Sequence, residues 1–126
     1  MAVILLIESN PVMRPALQAL LEDAGETVIT AMDVPGALSM LSQLDNIDLI
    51  VADILIPKMD GVALVKRLRM NPQHQHLPLL IFSVQKNGKV RHKVLKAGAT
   101  DFLSAPFTVQ ELQDSVKQLL AAPVAL

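Results

Sequence analysis

The stretch DLIVADILIPKMDG, residues 48–61, decides how the chain is expected to fold. Four apolar residues lie without interruption between Asp48 and Asp53, which is typical of a strand that is buried on both faces of a parallel sheet. The loop ILIPKMDG follows, and a helical pattern then runs to about Met70. The stretch therefore predicts a buried strand over 48–53 that ends at a carboxylate and is followed by a helix.

The same alternation of apolar runs and helical patterns continues on both sides of this stretch. Short β-type runs predict further strands over residues 3–7, 27–31, 79–83 and 101–105, and a helical pattern follows each of them. Five strands that alternate with five helices predict an α/β domain with a doubly wound parallel sheet and right-handed crossovers. In such sheets the functional crevice lies at the carboxyl ends of the strands.

The first helix has boundary signals at both ends. Asn10 is a good N-cap residue with Pro11 directly after it, and Gly25 is placed to end the helix. The apolar positions that follow helical spacing, and that we expect to face the core, are Val12, Ala16, Ala19, Leu20 and Ala24.

Later helices carry similar signals. Asp33 can cap a helix that runs to about Leu44, and Gly98 can end the helix before the fifth strand. Thr108 and Glu111 have the spacing of a capping box at the start of the last helix. We therefore expect short connections and no long linker within the domain.

Length and composition narrow the class of protein. The 126 residues suffice for one domain, which we expect over residues 1–122 with a short tail over 123–126. The apolar run over 1–7 is far shorter than the roughly 18 residues of a membrane span, so neither a membrane segment nor a signal peptide is expected. The chain has no cysteine, which excludes disulfides and Cys-based zinc sites and fits a cytoplasmic protein. A net charge of -1 and 2% aromatic residues give no reason to expect nucleic acid as a partner.

In this order and spacing, the fragments resemble the receiver domain of two-component response regulators. The most specific fragment is 48–61, where Asp53 ends a strand and Pro57 and Gly61 follow at fixed distances. The fragments LPLLIFS and AGATDFLSAPF agree in placement with the fourth and fifth strands of that family. The resemblance covers essentially the whole chain. It implies a CheY-like, flavodoxin-like (βα)5 fold with strand order 2-1-3-4-5 that accepts a phosphoryl group in signalling and is not an enzyme.

The resemblance also implies roles for individual residues. Asp53 falls on the phosphoacceptor, Ser83 on the switch hydroxyl and Phe102 on the switch aromatic, although a plain core role suits Phe102 equally well. Glu8 falls on the first of two paired acids, and with Asp53 and the backbone carbonyl of Leu55 it falls on the ligands of Mg²⁺. The resemblance thus implies a magnesium-assisted phosphorylation site at the carboxyl edge of the sheet.

Two residues of this site are replaced. Ser9 stands where the family has its second acid, a principal magnesium ligand, and Ala105, just before Pro106, stands where the family has a lysine. A hydroxyl is a weaker ligand for Mg²⁺ than a carboxylate, and loss of one charge-stabilising contact costs on the order of 3 kcal/mol in comparable sites. The two negative charges of Glu8 and Asp53 equal the net charge of the three acids and one lysine that the family usually has at this site. We therefore expect a folded pocket with weakened magnesium binding and weak or atypical phosphorylation.

The resemblance implies protein partners as well. A histidine kinase or phosphotransfer protein would donate the phosphoryl group, and an effector or a second copy of the chain would bind the face formed by residues 86–120. The segment KNGKVRHKVLK, 86–96, carries five lysine or arginine residues and no acid, which suits either an acidic partner or a merely solvated helix face. Lys58 and Lys86 are candidates to replace the missing cation in part.

Other functions remain open at this stage. A phosphorylation-independent adaptor is the main alternative. A phosphatase of the haloacid dehalogenase type would need an aspartate at the end of the first strand, and a flavin carrier would need a phosphate loop and aromatic rings, which the fragment ESNPVMR and the absence of Trp and Tyr do not offer. His74 and His76 have no third ligand nearby in the sequence, which favours a solvated loop over a zinc site.

Overall fold

The computed structural model describes residues 1–56, 60–84 and 88–121. Its elements, in chain order, are β1 (Val3–Ile7), α1 (Met13–Asp23), β2 (Thr27–Ala31), α2 (Val34–Gln43), β3 (Leu49–Asp53), α3 (Gly61–Met70), β4 (Leu79–Ser83), α4 (Gly88–Ala97), β5 (Asp101–Ser104) and α5 (Val109–Ala121). The strands form one parallel sheet in the order β2-β1-β3-β4-β5. The expected doubly wound fold is confirmed. Pro57, Lys58, Lys86 and the expected tail over 123–126 lie outside the described residues.

The sheet is covered on both faces, which explains the uninterrupted apolar runs of its strands. On one face, alternate residues of the strands pack with α2, α3 and α4, including Leu41, Leu64 and Val94. On the other face the remaining strand residues pack with Leu17 of α1 and Val116 of α5. Because every side chain of β3 and β4 is buried, a polar residue is tolerated there only at the strand end. No helix within the described residues is long and apolar enough to cross a bilayer.

Helix α1 has its buried face in a different place from the one expected. Leu17 and Leu21 are buried and Met13 packs against them, whereas Val12 is 76% exposed and Ala16 is exposed. Of the expected core positions, Leu20 packs against this cluster, whereas Val12, Ala16 and Ala19 are exposed, because α1 carries apolar residues on both sides. The longer side chains fill the core, since they remove more apolar surface from water than alanine does.

Most expected helix boundaries are confirmed. The Asn10 side chain accepts hydrogen bonds from the N–H groups of Val12, at 2.8 Å, and Met13, at 3.0 Å, although regular helix begins only at Met13. Asp33 caps α2 by accepting from the Gly36 N–H at 2.8 Å. Gly25 and Gly98 have φ values of 96° and 120°, which allow the chain to leave α1 and α4 in a left-handed conformation.

Arg69, at the end of α3, joins three separate segments near the amino ends of β4 and β5. Its guanidinium donates to the carbonyl oxygens of Gly98 at 2.8 Å, Leu77 at 2.7 Å and Gln75 at 3.1 Å. Carbonyl groups that are partly buried lose free energy if they are left without a donor. Arg69 thus stabilises the connection between α3 and β4 and holds it against the end of α4.

Replacement of Arg69 by methionine is expected to lower the free energy of unfolding by about 3 kcal/mol, because several carbonyl groups lose a charged donor at once. Urea denaturation followed by circular dichroism measures this change. The matched control is Arg67→Met on the same helix turn, where the side chain is exposed and the expected change is within about 0.5 kcal/mol. Equal effects of the two substitutions would contradict the role given to Arg69.

Candidate functional site

The pairing of β1 with β3 brings two carboxylates together at the carboxyl edge of the sheet. Ile7 is paired with Ala52 in parallel register, so the next residues, Glu8 and Asp53, lie side by side. Both side chains are buried, with 2% and 5% of their surface exposed. The expected meeting of Glu8 with Asp53 is therefore present in the structure.

The neighbouring strands complete this edge. Asp53 is paired with Phe82, and Ser83, the last residue of β4, is 2% exposed. The Ala105 N–H donates to the carbonyl oxygen of Ser83 at 2.9 Å, which places the residue that stands for the family lysine beside the end of β4. Ala105 is joined to Pro106 by a cis peptide bond. Ser83 and Ala105 thus lie at the same edge of the sheet as the two carboxylates.

The loop after β3 is held close to Asp53. The Leu55 N–H donates to the Asp53 carboxylate at 3.0 Å, and the Gly61 N–H donates to the Ile54 carbonyl at 2.9 Å. A Cβ atom on Gly61 would lie 2.8 Å from Ile54 Cδ1 and 3.0 Å from Ile54 Cα. Glycine is therefore needed at position 61 because the start of α3 packs directly on the backbone of this loop.

The Glu8 carboxyl is confined in this edge. Its Oε1 accepts from the Asn10 N–H at 3.0 Å, whereas Oε2 is buried and has no hydrogen-bond partner among the described residues. Burial, and after it the contact with the Asp53 carboxyl, raise the pKa of Glu8 to about 7, although the Asn10 N–H and the Arg14 guanidinium act in the opposite direction. A proton on Glu8 allows this carboxyl to donate to Asp53 instead of repelling it.

Arg14 is a site residue that the sequence reasoning missed. Its guanidinium donates to the backbone carbonyl of Glu8 at 3.2 Å, and its charge lowers the pKa of the Glu8 carboxyl. The signal in the sequence was a cation in the first turn of the helix that follows Glu8.

Phe102 and Ser9 occupy different surroundings. The Phe102 ring is 3% exposed and belongs to the core on the α4 side of the sheet, while its backbone carbonyl accepts from Arg91 of α4 at 3.1 Å. Ser9 is partly exposed directly after Glu8.

In the part of the chain that the structure describes, no group of three or more His, Asp or Glu side chains is arranged to hold a metal ion. The two carboxylates of Glu8 and Asp53 are thus the acidic centre of this edge.

Comparison with known proteins identifies the family. The family model of the response regulator receiver domain matches residues 4–117. The chain belongs to this family, the CheY-like receiver domains of two-component signalling, whose members accept a phosphoryl group and interact with histidine kinases and effectors.

Similar proteins include a transcriptional regulatory protein and sensor histidine kinases. The chain is 30% identical over 117 residues to the transcriptional regulatory protein PhoP of Escherichia coli K12 and spans 93% of itself and 51% of PhoP. It is 30% identical over 122 residues to the sensor histidine kinase TmoS of Ectopseudomonas mendocina, 97% of this chain but 12% of TmoS. The receiver domain of a sensor histidine kinase from Pseudomonas aeruginosa has a TM-score of 0.85 and 26% identity, with 96% of this chain and 98% of that chain covered. That structure has a magnesium ion coordinated in the active-site cleft.

The raised pKa of Glu8 predicts a stability that depends on pH in the absence of Mg²⁺. The folded protein holds the Glu8 proton up to a pH of about 7, whereas the unfolded chain releases it near 4.5. The contribution of Glu8 is therefore complete below 4.5 and is lost as the pH rises to about 7, by at most about 3 kcal/mol. Glu8→Gln removes the titration, so the stability of this variant relative to the parent should rise between pH 4.5 and 8 in EDTA. Parallel pH curves for the two proteins, measured by urea denaturation, would show that Glu8 titrates normally.

Proposed function

We propose that this chain is a receiver domain that retains its phosphoacceptor, Asp53, but accepts the phosphoryl group weakly or atypically. The observation that carries this proposal is the buried pair of Glu8 and Asp53 at the carboxyl edge, beside Ser9 and Ala105. The pair supplies the acceptor oxygen and one acid. The second acid and the lysine of the family are absent, so less charge is available to hold a metal ion and a phosphoryl group.

The residues at this edge fit a magnesium ion. The orphaned Oε2 of Glu8 and the Asp53 carboxylate are hard oxygen donors, which is the ligand type that Mg²⁺ requires. Glu8, Asp53 and the backbone carbonyl of Leu55 would hold it, with a weak contribution from the Ser9 hydroxyl. When bound, the ion neutralises negative charge at the two carboxylates and at the incoming phosphoryl oxygens. Glu8 must release its proton to bind it, which weakens binding below a pH of about 7.

The remaining residues have roles during and after phosphoryl transfer. The Leu55 N–H holds one oxygen of Asp53, which leaves the other oxygen to attack the phosphorus atom. The Ser83 hydroxyl, buried at the adjacent strand end, is positioned to bond the phosphoryl group. We assign the switch aromatic to Phe102, whose ring is buried against α4. A change at Ser83 would reach Phe102 through the pairing of β4 with β5.

The partners follow from this assignment. A histidine kinase or phosphotransfer protein would supply the phosphoryl group. The described part of the 86–120 face exposes Lys89, Lys93 and Lys96 on α4, while Val94 on the same helix is buried. Such a basic helix suits an effector with an acidic surface, or the acidic side chains of a second copy. If Asp53 is not phosphorylated at all, the same face would serve a phosphorylation-independent adaptor.

Incubation with acetyl phosphate and Mg²⁺, followed by intact-mass measurement, tests the proposal. A slow mass gain of one phosphoryl group is expected, with none in Asp53→Ala, because that variant lacks the acceptor oxygen. The double variant Ser9→Asp, Ala105→Lys restores the family charges and should accept the group at least about a hundredfold faster.

The comparison between parent and double variant separates the possible outcomes. A parent that reacts as fast as the double variant would contradict the weakened site. A parent that never reacts, next to a double variant that does, would favour the adaptor. If the double variant also fails to react, although it folds, the assignment of the acceptor to Asp53 is wrong.

A further inference from the structure

Arg14 is held at the carboxyl edge of the sheet by a closed set of hydrogen bonds. Its backbone N–H donates to the Asn10 carbonyl at 2.9 Å, and the Asn10 N–H donates to Oε1 of Glu8 at 3.0 Å. The Arg14 guanidinium returns to Glu8 and donates to its backbone carbonyl at 3.2 Å. The side chain is only partly exposed. The guanidinium therefore has a defined place beside Glu8 and is not a freely moving surface charge.

The bond of Arg14 to a backbone carbonyl leaves the Glu8 carboxyl available to a metal ion. A guanidinium that paired directly with this carboxyl would compete with the ion for its oxygens. Here Oε1 of Glu8 accepts from the Asn10 N–H, and Oε2 is buried with no hydrogen-bond partner among the described residues. Arg14 can therefore stay in place while Glu8 and Asp53 hold Mg²⁺.

The charge of Arg14 acts on the carboxyl pair without direct contact. Burial raises the pKa of Glu8, and the contact with Asp53 raises it as well, whereas the positive charge of Arg14 acts in the opposite direction. Water screens partly buried charges incompletely, so their Coulomb interactions extend over several ångströms. A negatively charged group that is bound at Asp53 lies in the same field.

A positive charge is needed at this edge when a phosphoryl group arrives. Mg²⁺ neutralises the charges of Glu8 and Asp53, and the phosphoryl oxygens then add negative charge of their own. Cations that stabilise these oxygens supply much of the rate of phosphoryl transfer. Under the proposed function, alanine at position 105 takes the place of the family lysine, and Lys58 and Lys86 lie outside the described residues. Arg14 is a described cation that is already fixed at this edge.

We propose that Arg14 is a positioning residue of the phosphorylation site, whose positive charge takes over part of the role of the family lysine. It stabilises the phosphoryl oxygens from the side of the β1–α1 connection and does not contact them. This inference rests on the proposed function, because it assumes that Asp53 accepts the phosphoryl group. The effect of Arg14 on Mg²⁺ is independent of phosphorylation. A fixed cation beside Glu8 repels a divalent ion, so Arg14 should weaken Mg²⁺ binding although it favours phosphoryl transfer.

The opposite signs of these two effects provide the test. Arg14→Gln removes the charge, so at saturating Mg²⁺ the mass gain from acetyl phosphate should be at least about threefold slower, while a ¹H–¹⁵N NMR titration should show Mg²⁺ binding about threefold tighter. Arg14→Lys keeps the charge and should stay within about twofold of the parent in both measurements. Arg67→Gln, which removes an exposed arginine on α3, is the matched control and should change neither. A pH of about 8.5 and constant ionic strength keep Glu8 ionised and the screening equal in all proteins.

A second background separates the charge of Arg14 from its hydrogen bond. In protein that carries Ala105→Lys, Arg14→Gln should slow phosphorylation less than it does in the parent, because the introduced lysine supplies the charge. An equal slowing in both backgrounds would show that the two positions act independently, and would overturn the proposal.

The Mg²⁺ titration also decides against the proposal in other ways. Weaker Mg²⁺ binding in Arg14→Gln, or equal losses of rate in Arg14→Gln and Arg14→Lys, would show that Arg14 acts only through its bond to the Glu8 carbonyl. If the parent accepts no phosphoryl group, the proposed function fails, and the titration still tests Arg14. Tighter Mg²⁺ binding in Arg14→Gln than in the parent would support its charge at this site, whereas equal binding, or none in either protein, would reject it.

Discussion

The contact between the buried carboxyls of Glu8 and Asp53 is the constraint on which the account of this protein depends. Glu8 and Asp53 follow the ends of adjacent parallel strands, and the pairing of Ile7 with Ala52 places them side by side. Burial adds to the cost, since neither group can be solvated by water as a free carboxylate would be. Burial beside Asp53 raises the pKa of Glu8 to about 7, so that below this pH a proton on Glu8 relieves the conflict. A divalent cation would resolve it in another way.

This conflict bears on the proposal that serine at position 9 and alanine at position 105 stand in place of an acid and a lysine of the family. A lysine at position 105 would have contributed a positive charge, and an acid at position 9 a further negative one. With serine and alanine at these positions, the charge that remains is that of Glu8 and Asp53, and Arg14 and the Asn10 N–H are the described groups that offset it at Glu8. In this proposal the fold does not depend on an acid at position 9 or a lysine at position 105, whereas phosphoryl transfer depends on such charges.

Much of the fold could be predicted from the sequence, because its signals are local. Runs rich in apolar and β-branched residues predicted β1, β2 and β4 with their observed bounds, since the strands in the middle of a covered sheet have few polar positions. The face of α1 could not be predicted, because Val12 and Ala16 have the same spacing as the buried Leu17 and Leu21. Periodicity alone does not distinguish two apolar faces of one helix.

The location of the candidate site could be predicted, but several of its contacts could not. The resemblance located the edge where Glu8 and Asp53 meet, because the order of the strands determines which strand ends are neighbours. It did not indicate Arg14, Arg69 or Arg91, whose partners are backbone carbonyl groups, two of them distant in the chain. Nor did it indicate the raised pKa of Glu8, which depends on burial from several elements at once. Such properties belong to the packed molecule and have no local signature.

The most direct measurement of the central claim is a ¹³C NMR titration of the side-chain carboxyl of Glu8 in the metal-free protein, alongside the Asp53→Ala variant. The account predicts a midpoint near pH 7 in the parent and a clearly lower midpoint in the variant, because the neighbouring carboxyl has been removed. A midpoint near 4.5 in both proteins would contradict it, since the two carboxyls would then not form a buried pair.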